Sequence, residues 1–216
     1  MKILKQMKLT YLFILTLLTI ASTVAAVPYR KFDGLDEFQQ PQPRKVKNGA
    51  SYAEDVNSGK IKIDDFIGSP NRNVSASNGG CKITIKYSSP GVRGRAIWGK
   101  LVPYNKIWVT GANHATSISF DRDVRIDNRL IPAGTYAFFT IPGERDWVII
   151  FNKNTDQHLA DDYSKTDDVI RFNVKPTESP SIVQRLTYNI ESIRDGEARI
   201  NMVWEKRKIS FVVKKN

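Results

Sequence analysis

A chain of 216 residues with a single cysteine is long enough to bury a sizeable core and has no partner with which to close an internal disulfide. Its formal charge is +11, from 33 Lys and Arg against 22 Asp and Glu. These basic residues are spread along the chain rather than gathered in a block, so nucleic acid is not an expected partner, and the surplus reads as a solvated surface able to face anionic headgroups or polysaccharide.

The first 26 residues have the form of an export signal. Lys2, Lys5 and Lys8 precede an apolar run over Leu9–Ile20, and Val24-Ala25-Ala26 offers small residues for cleavage. That run falls short of the roughly 20 residues needed to span a bilayer. No second such run follows. The expectation is therefore a periplasmic or extracellular protein with no transmembrane segment in the mature chain. Residues 27–59, with Gln39-Gln40-Pro41-Gln42-Pro43, show no sustained apolar period and read as a disordered spacer. Lys60–Ile67 reads as a short strand or helical turn, and Asn71–Gly80, rich in Asn, Ser and Gly, as loop.

From Cys81 onward apolar residues alternate with polar ones. Ile83, Ile85 and Tyr87 share one face, and Thr116, Ile118 and Phe120 repeat the pattern. Asp127-Asn128 suits a tight hairpin turn, because both side chains tolerate positive φ. Pro142-Gly143-Glu144 separates Thr135–Thr140 from Trp147–Asn152. Further strands are expected over Val169–Lys175, Arg185–Ser192, Ala198–Glu205 and Lys208–Lys214, with turns at Asp195-Gly196 and Lys206-Arg207. About nine short strands and no convincing amphipathic helix predict one all-β domain over residues 60–216. The expected architecture is an antiparallel two-sheet sandwich of jelly-roll-like kind, with a closed barrel as the second choice.

Chemistry is most concentrated in Arg93–Phe120, where aromatic, glycine, amide and basic residues crowd together. Trp98, Tyr104 and Trp108 can form an apolar platform for a ring-shaped ligand. Plugging the core between the sheets is the simpler use of the same rings. Asn113, after Gly111-Ala112, either locks a turn or offers its amide to a ligand. His114 is an exposed turn residue that can also serve as a base or contact. Arg93 and Arg95 suit either an anion or a structural carboxylate such as Asp168, and Asp168 beside Arg171 reads as an internal ion pair. Cys81 reads as a buried small residue at a strand start.

Strong catalytic signatures are missing from the sequence. There is no HExxH, no histidine pair at metal spacing, no phosphate loop, no GxSxG elbow and no calcium loop. No cofactor or metal is therefore expected, and no catalytic residue is assigned. The expected binding set is Arg95, Trp98, Tyr104, Trp108, Asn113, His114 and Arg171. The expected function is a non-catalytic module of the cell envelope that binds a glycan, a small ligand or another envelope protein. A hydrolase or isomerase using His114, Asp168 and Arg95 is one alternative, and a purely structural domain is the other.

Several motifs together resemble a known family. They are Ser69-Pro70, Ile85-Lys86-Tyr87-Ser88, Gly94-Arg95-Ala96-Ile97-Trp98-Gly99, Leu101-Val102-Pro103-Tyr104 and Thr110-Gly111-Ala112-Asn113. Ala133-Gly134-Thr135-Tyr136, Thr140-Ile141-Pro142-Gly143, Asn152-Lys153 and Asp168 with Arg171 extend the match. Roughly from Ser69 to Val213, the chain resembles the domain of unknown function 2911 family of exported bacterial proteins, common in Bacteroidota. That resemblance implies no assigned activity. The family pattern carries arginine where this chain has Ser89 and Val109, and Trp-Gly at His158-Leu159. If those arginines form an anion-binding pair in the family, this chain lacks it.

Overall fold

Alternation in the sequence becomes alternation in burial. In β2 (Cys81–Ser88), Cys81, Ile83, Ile85 and Tyr87 are buried while Lys82 and Lys86 face solvent. The structure is a computed structural model that describes residues 49–216. The export signal and the expected spacer up to residue 48 lie outside the described residues.

Among the described residues ten strands form two antiparallel sheets. β1 (Asn71–Asn78), β2, β3 (Thr116–Phe120), β6 (Gly134–Ile141), β7 (Trp147–Asn152) and β8 (Asp168–Val174) lie side by side in the first. The second runs β5 (Arg129–Ile131), β4 (Val124–Ile126), β10 (Glu197–Lys215), β9 (Thr177–Arg194). The expected two-sheet, all-β architecture holds, and neither sheet closes into a barrel. The core between the sheets gathers Ile85, Ile118, Phe138, Phe151, Leu186, Ile200, Trp204 and Phe211 among others.

The six-stranded sheet is buried on both faces at its centre. Phe138 and Phe151 point into the main core, while Ala137, Phe139 and Ile150 point outward under Val109, Ile107, Ala160 and Tyr163. This explains the unbroken apolar runs in β6 and β7, since a strand covered on both sides has no polar face. The cover comes from residues 107–115 and 157–163. Over β1–β3 the outer face is open, with Lys86 exposed and Ser117 half-buried.

Turn chemistry follows the sequence closely. Asp127 and Asn128 both adopt positive φ (49° and 61°) in the β4–β5 hairpin, as a twist-matched two-residue turn requires. Gly196 (φ 72°) turns β9 into β10.

Four expectations change. Asn71–Asn78 is a strand, not a loop. It pairs residue for residue with β2, and its Asn and Ser content marks a polar edge that discourages further pairing. No turn interrupts β10 at Lys206-Arg207. Instead the strand continues through pairing irregularities around Glu205 (φ 54°). Ala198, Ile200, Met202 and Trp204 face the core before this point, and Ile209, Phe211 and Val213 after it. A bulge shifts strand parity as a turn would, so the apolar pattern alone does not separate the two.

The third change is a helix, α1 (Gly49–Asn57), inside the stretch read as spacer. Tyr52, Ala53 and Val56 are buried, and α1 packs against β9 and β1. A nine-residue helix has too short a pattern to be read alone, and its packing supplies the stability. Fourth, Lys60–Ile67 is neither strand nor helix but an irregular strap. Among the described residues no helix is long and apolar enough to cross a membrane.

Candidate functional site

The tryptophans of the aromatic segment are half-buried and lean on the core. Trp98 packs edge-on against Trp147 (ring centroids 4.9 Å apart), Trp108 and Trp204 (both 5.8 Å), and Trp108 stacks on Trp204 at 5.8 Å. All four tryptophans of the chain thus form one cluster between the sheets. Edge-to-face pairs of this kind add to the area they bury. The Nε1 atoms of Trp98 and Trp204 have no hydrogen-bond acceptor, and the neighbouring ring faces are the weak acceptors available to them. Trp108 Nε1 donates to the Gly111 carbonyl at 3.1 Å. Trp98 and Trp108, both half-buried, thus pack on Trp147 and Trp204. Tyr104, half-buried, lies over Gly99, where a Cβ would come within 2.8 Å of its ring.

The Thr110–Asn113 turn is fixed from below. Tyr188 Oη and Thr116 Oγ1 both donate to the Thr110 carbonyl (2.8 and 3.1 Å), and Thr110 Oγ1 donates to Thr140 Oγ1 at 3.0 Å. Burial holds the Tyr188 phenol well above its ordinary pKa, so it stays a donor. Gly111 is required here, since a Cβ would sit 2.7 Å from Thr116 Oγ1. Asn113 takes positive φ (62°) and is exposed.

Beyond this turn the chain meets residues 157–159. Ala115 N–H donates to the Gln157 carbonyl (2.9 Å) and Leu159 N–H to the Asn113 carbonyl (2.7 Å). His114 and His158 are thereby set directly opposite each other, with ring centroids 5.8 Å apart. Asp161 Oδ2 lies 3.7 Å from His158 Nδ1. Sequence reading did not pair these histidines, because a long-range bridge between two loops leaves no periodic signal.

His114 also lines an open groove of about 540 Å³ with Asn71, Asn73, Lys86, Ser88 and Ser117. Asn73, Lys86 and Ser117 are consecutive cross-strand partners, a polar row across β1, β2 and β3. Ser88 Oγ donates to Asn71 Oδ1 at 2.8 Å, fixing that amide at one end of the groove. In the sequence Lys86 reads as an outward-facing strand position and a motif residue, and the Asn71 and Asn73 amides fall in a stretch that reads as loop. A second groove, about 620 Å³, lies against α1 and the strap. Two of its polar side chains are committed to structure: Asn57 bonds the Arg185 backbone and Asp64 pairs with Arg185.

The remaining expected residues are scattered. Arg95 folds back onto its own loop, donating to the Gly91 and Val92 carbonyls, and does not pair with Asp168. Asp168 instead receives Asn152 Nδ2 (2.9 Å), Tyr163 Oη (2.7 Å) and the Arg171 guanidinium, as the expected internal ion pair. His114, Asp168 and Arg95 share no hydrogen-bond or ion-pair partner. Cys81 is buried at the first position of β2, and burial, with the Asp121 carboxylate beside it, pushes its thiol up and away from reactivity. Among the described residues no three His, Cys, Asp or Glu side chains converge as a metal cluster.

Ser89 and Val109, the two departures from the family pattern, are both interior. Ser89 Oγ donates to the Leu186 carbonyl at 2.7 Å, and Val109 belongs to the outer apolar cluster. No curated protein matches the chain, and no solved structure does. A family model described as "Protein of unknown function (DUF2911)" matches residues 69–213, which takes in both sheets and the groove. The chain belongs to that family.

Proposed function

We propose that this protein is an exported, non-catalytic binding module of the cell envelope, and that it holds a glycan on the open outer face of β1–β3. The observation that carries this reading is the row Asn73–Lys86–Ser117, continued by His114, along a groove of about 540 Å³. Planar amides and hydroxyls spaced by a sheet match the hydroxyl groups of a sugar, which need several directed partners. A rigid strand scaffold lowers the entropy cost of presenting them. Lys86 adds a cation, which favours a carboxylated sugar over a neutral one. The basic-terminated leader at residues 1–26 supports export.

The test is calorimetric titration with neutral and uronic-acid oligosaccharides. Lys86→Ala and Asn73→Ala should each weaken binding about 5–10-fold, the scale of one lost hydrogen bond, without lowering the unfolding temperature. Affinities equal to wild type in both variants would remove this face from consideration.

A further inference from the structure

The opposed histidines are a second arrangement with chemistry in it. Hydrogen bonds flank the His114–His158 pair on both sides, Ala115 N–H to Gln157 O and Leu159 N–H to Asn113 O, while the two residues exchange none themselves. This is the non-hydrogen-bonded position of an antiparallel pair, where backbones approach most closely and side chains project together from one face. The imidazoles are edge-on at 84° with centroids 5.8 Å apart. His114 is exposed and the His158 side chain is 64% exposed, so both rings are reachable from solvent.

We infer that His114 and His158 form a two-nitrogen clip for a divalent transition-metal ion. Imidazole is the side chain best suited to copper, nickel and zinc, and affinity at a nitrogen site peaks at copper(II). Two ligands preset on opposed backbone positions bind with less ordering cost than two on a free chain. Asp161, on the Nδ1 side of His158, can orient that ring, as carboxylates do for ligating histidines. The other coordination positions fall to water, since no third His, Cys, Asp or Glu side chain converges on the pair. This clip is not announced by the sequence, where the two histidines lie far apart. It is independent of the glycan reading, because the metal alone is the ligand tested.

The chain has only two histidines, which makes the experiment clean. Copper(II) is titrated into the full chain, with calorimetry for affinity and electron paramagnetic resonance for ligand type. One equivalent should bind with nitrogen hyperfine structure from two imidazoles. His114→Ala and His158→Gln should each weaken that site at least about tenfold and leave at most one imidazole in the spectrum. Asp161→Asn should weaken it less while both imidazoles stay bound. Circular dichroism confirms that each variant is folded. No binding by wild type, or binding unchanged in either histidine variant, overturns the clip.

Discussion

Tyr163 shows at the scale of one residue how a polar loop is made structural. Its hydroxyl donates to Asp168 at 2.7 Å and its ring lies edge-on to Phe139 at 5.3 Å. Burial, then the Asp168 carboxylate, pushes its phenol up to about 12. An unfolded chain ionises tyrosine near pH 10, so the native state holds a proton that the unfolded state loses. The stability this contributes is complete below about pH 10 and is lost as the pH rises toward 12. Buried Tyr188 adds to the same loss. Denaturant midpoints measured from pH 9 to 12 should fall steeply for wild type and less steeply for Tyr163→Phe. Equal slopes would contradict the assignment. Asp168 and Arg171 were readable as an ion pair from their spacing near a strand start. Tyr163 as the third member was not, because its reach depends on how the loop folds over β7 and β8.

Between elements, one side chain fastens the strap and α1 to β9. Arg185 is fully buried and pairs with Asp64 at 2.5 Å. It also donates to the Gly68, Phe66 and Ser89 carbonyls and lies over the rings of Tyr52 and Phe66. Asn57, at the end of α1, bonds both the N–H and the carbonyl of Arg185, occupying edge groups that β9 would otherwise leave open. Gly91 is needed for the same clasp, since a Cβ there would meet Asp64 Oδ2 at 2.4 Å. Arg185→Ala strands the Asp64 carboxylate and should cost about 3–5 kcal/mol in a denaturant melt. Arg185→Met with Asp64→Leu should recover much of that loss. A cost under about 1 kcal/mol for the single change would show that the clasp is not holding these elements together.

The clasp also explains which elements the sequence concealed. Strands with one buried face announce themselves by alternation, and β2, β3 and the β4–β5 hairpin were legible for that reason. α1 and β1 depend on partners distant in sequence. Their own residues are short-range ambiguous: nine residues for the helix, and Asn and Ser for the edge strand. The parity change in β10 was visible, but a bulge and a turn produce the same pattern.

Across the whole molecule the chemistry divides by side. The tryptophans that made Arg93–Phe120 conspicuous close the interior between the sheets. Asn73, Lys86 and His114 stand exposed on the outer face of the six-stranded sheet, where loop cover stops at His114. Aromatic composition singled out this segment of chain but not the direction of its rings, because a ring suits a core and a sugar site equally. The direction was set by Trp147 and Trp204, whose strand parity turns them inward and draws Trp98 and Trp108 after them.

One comparison tests that division most directly: oligosaccharide affinity and unfolding free energy measured together for Trp98→Ala and for the double variant Asn73→Ala/Lys86→Ala, at a temperature where both are folded. Trp98→Ala should lose about 3–5 kcal/mol of stability and keep its affinity. The double variant should keep its stability and lose binding by well over tenfold. Binding lost on removing Trp98 and retained without Asn73 and Lys86 would contradict the account.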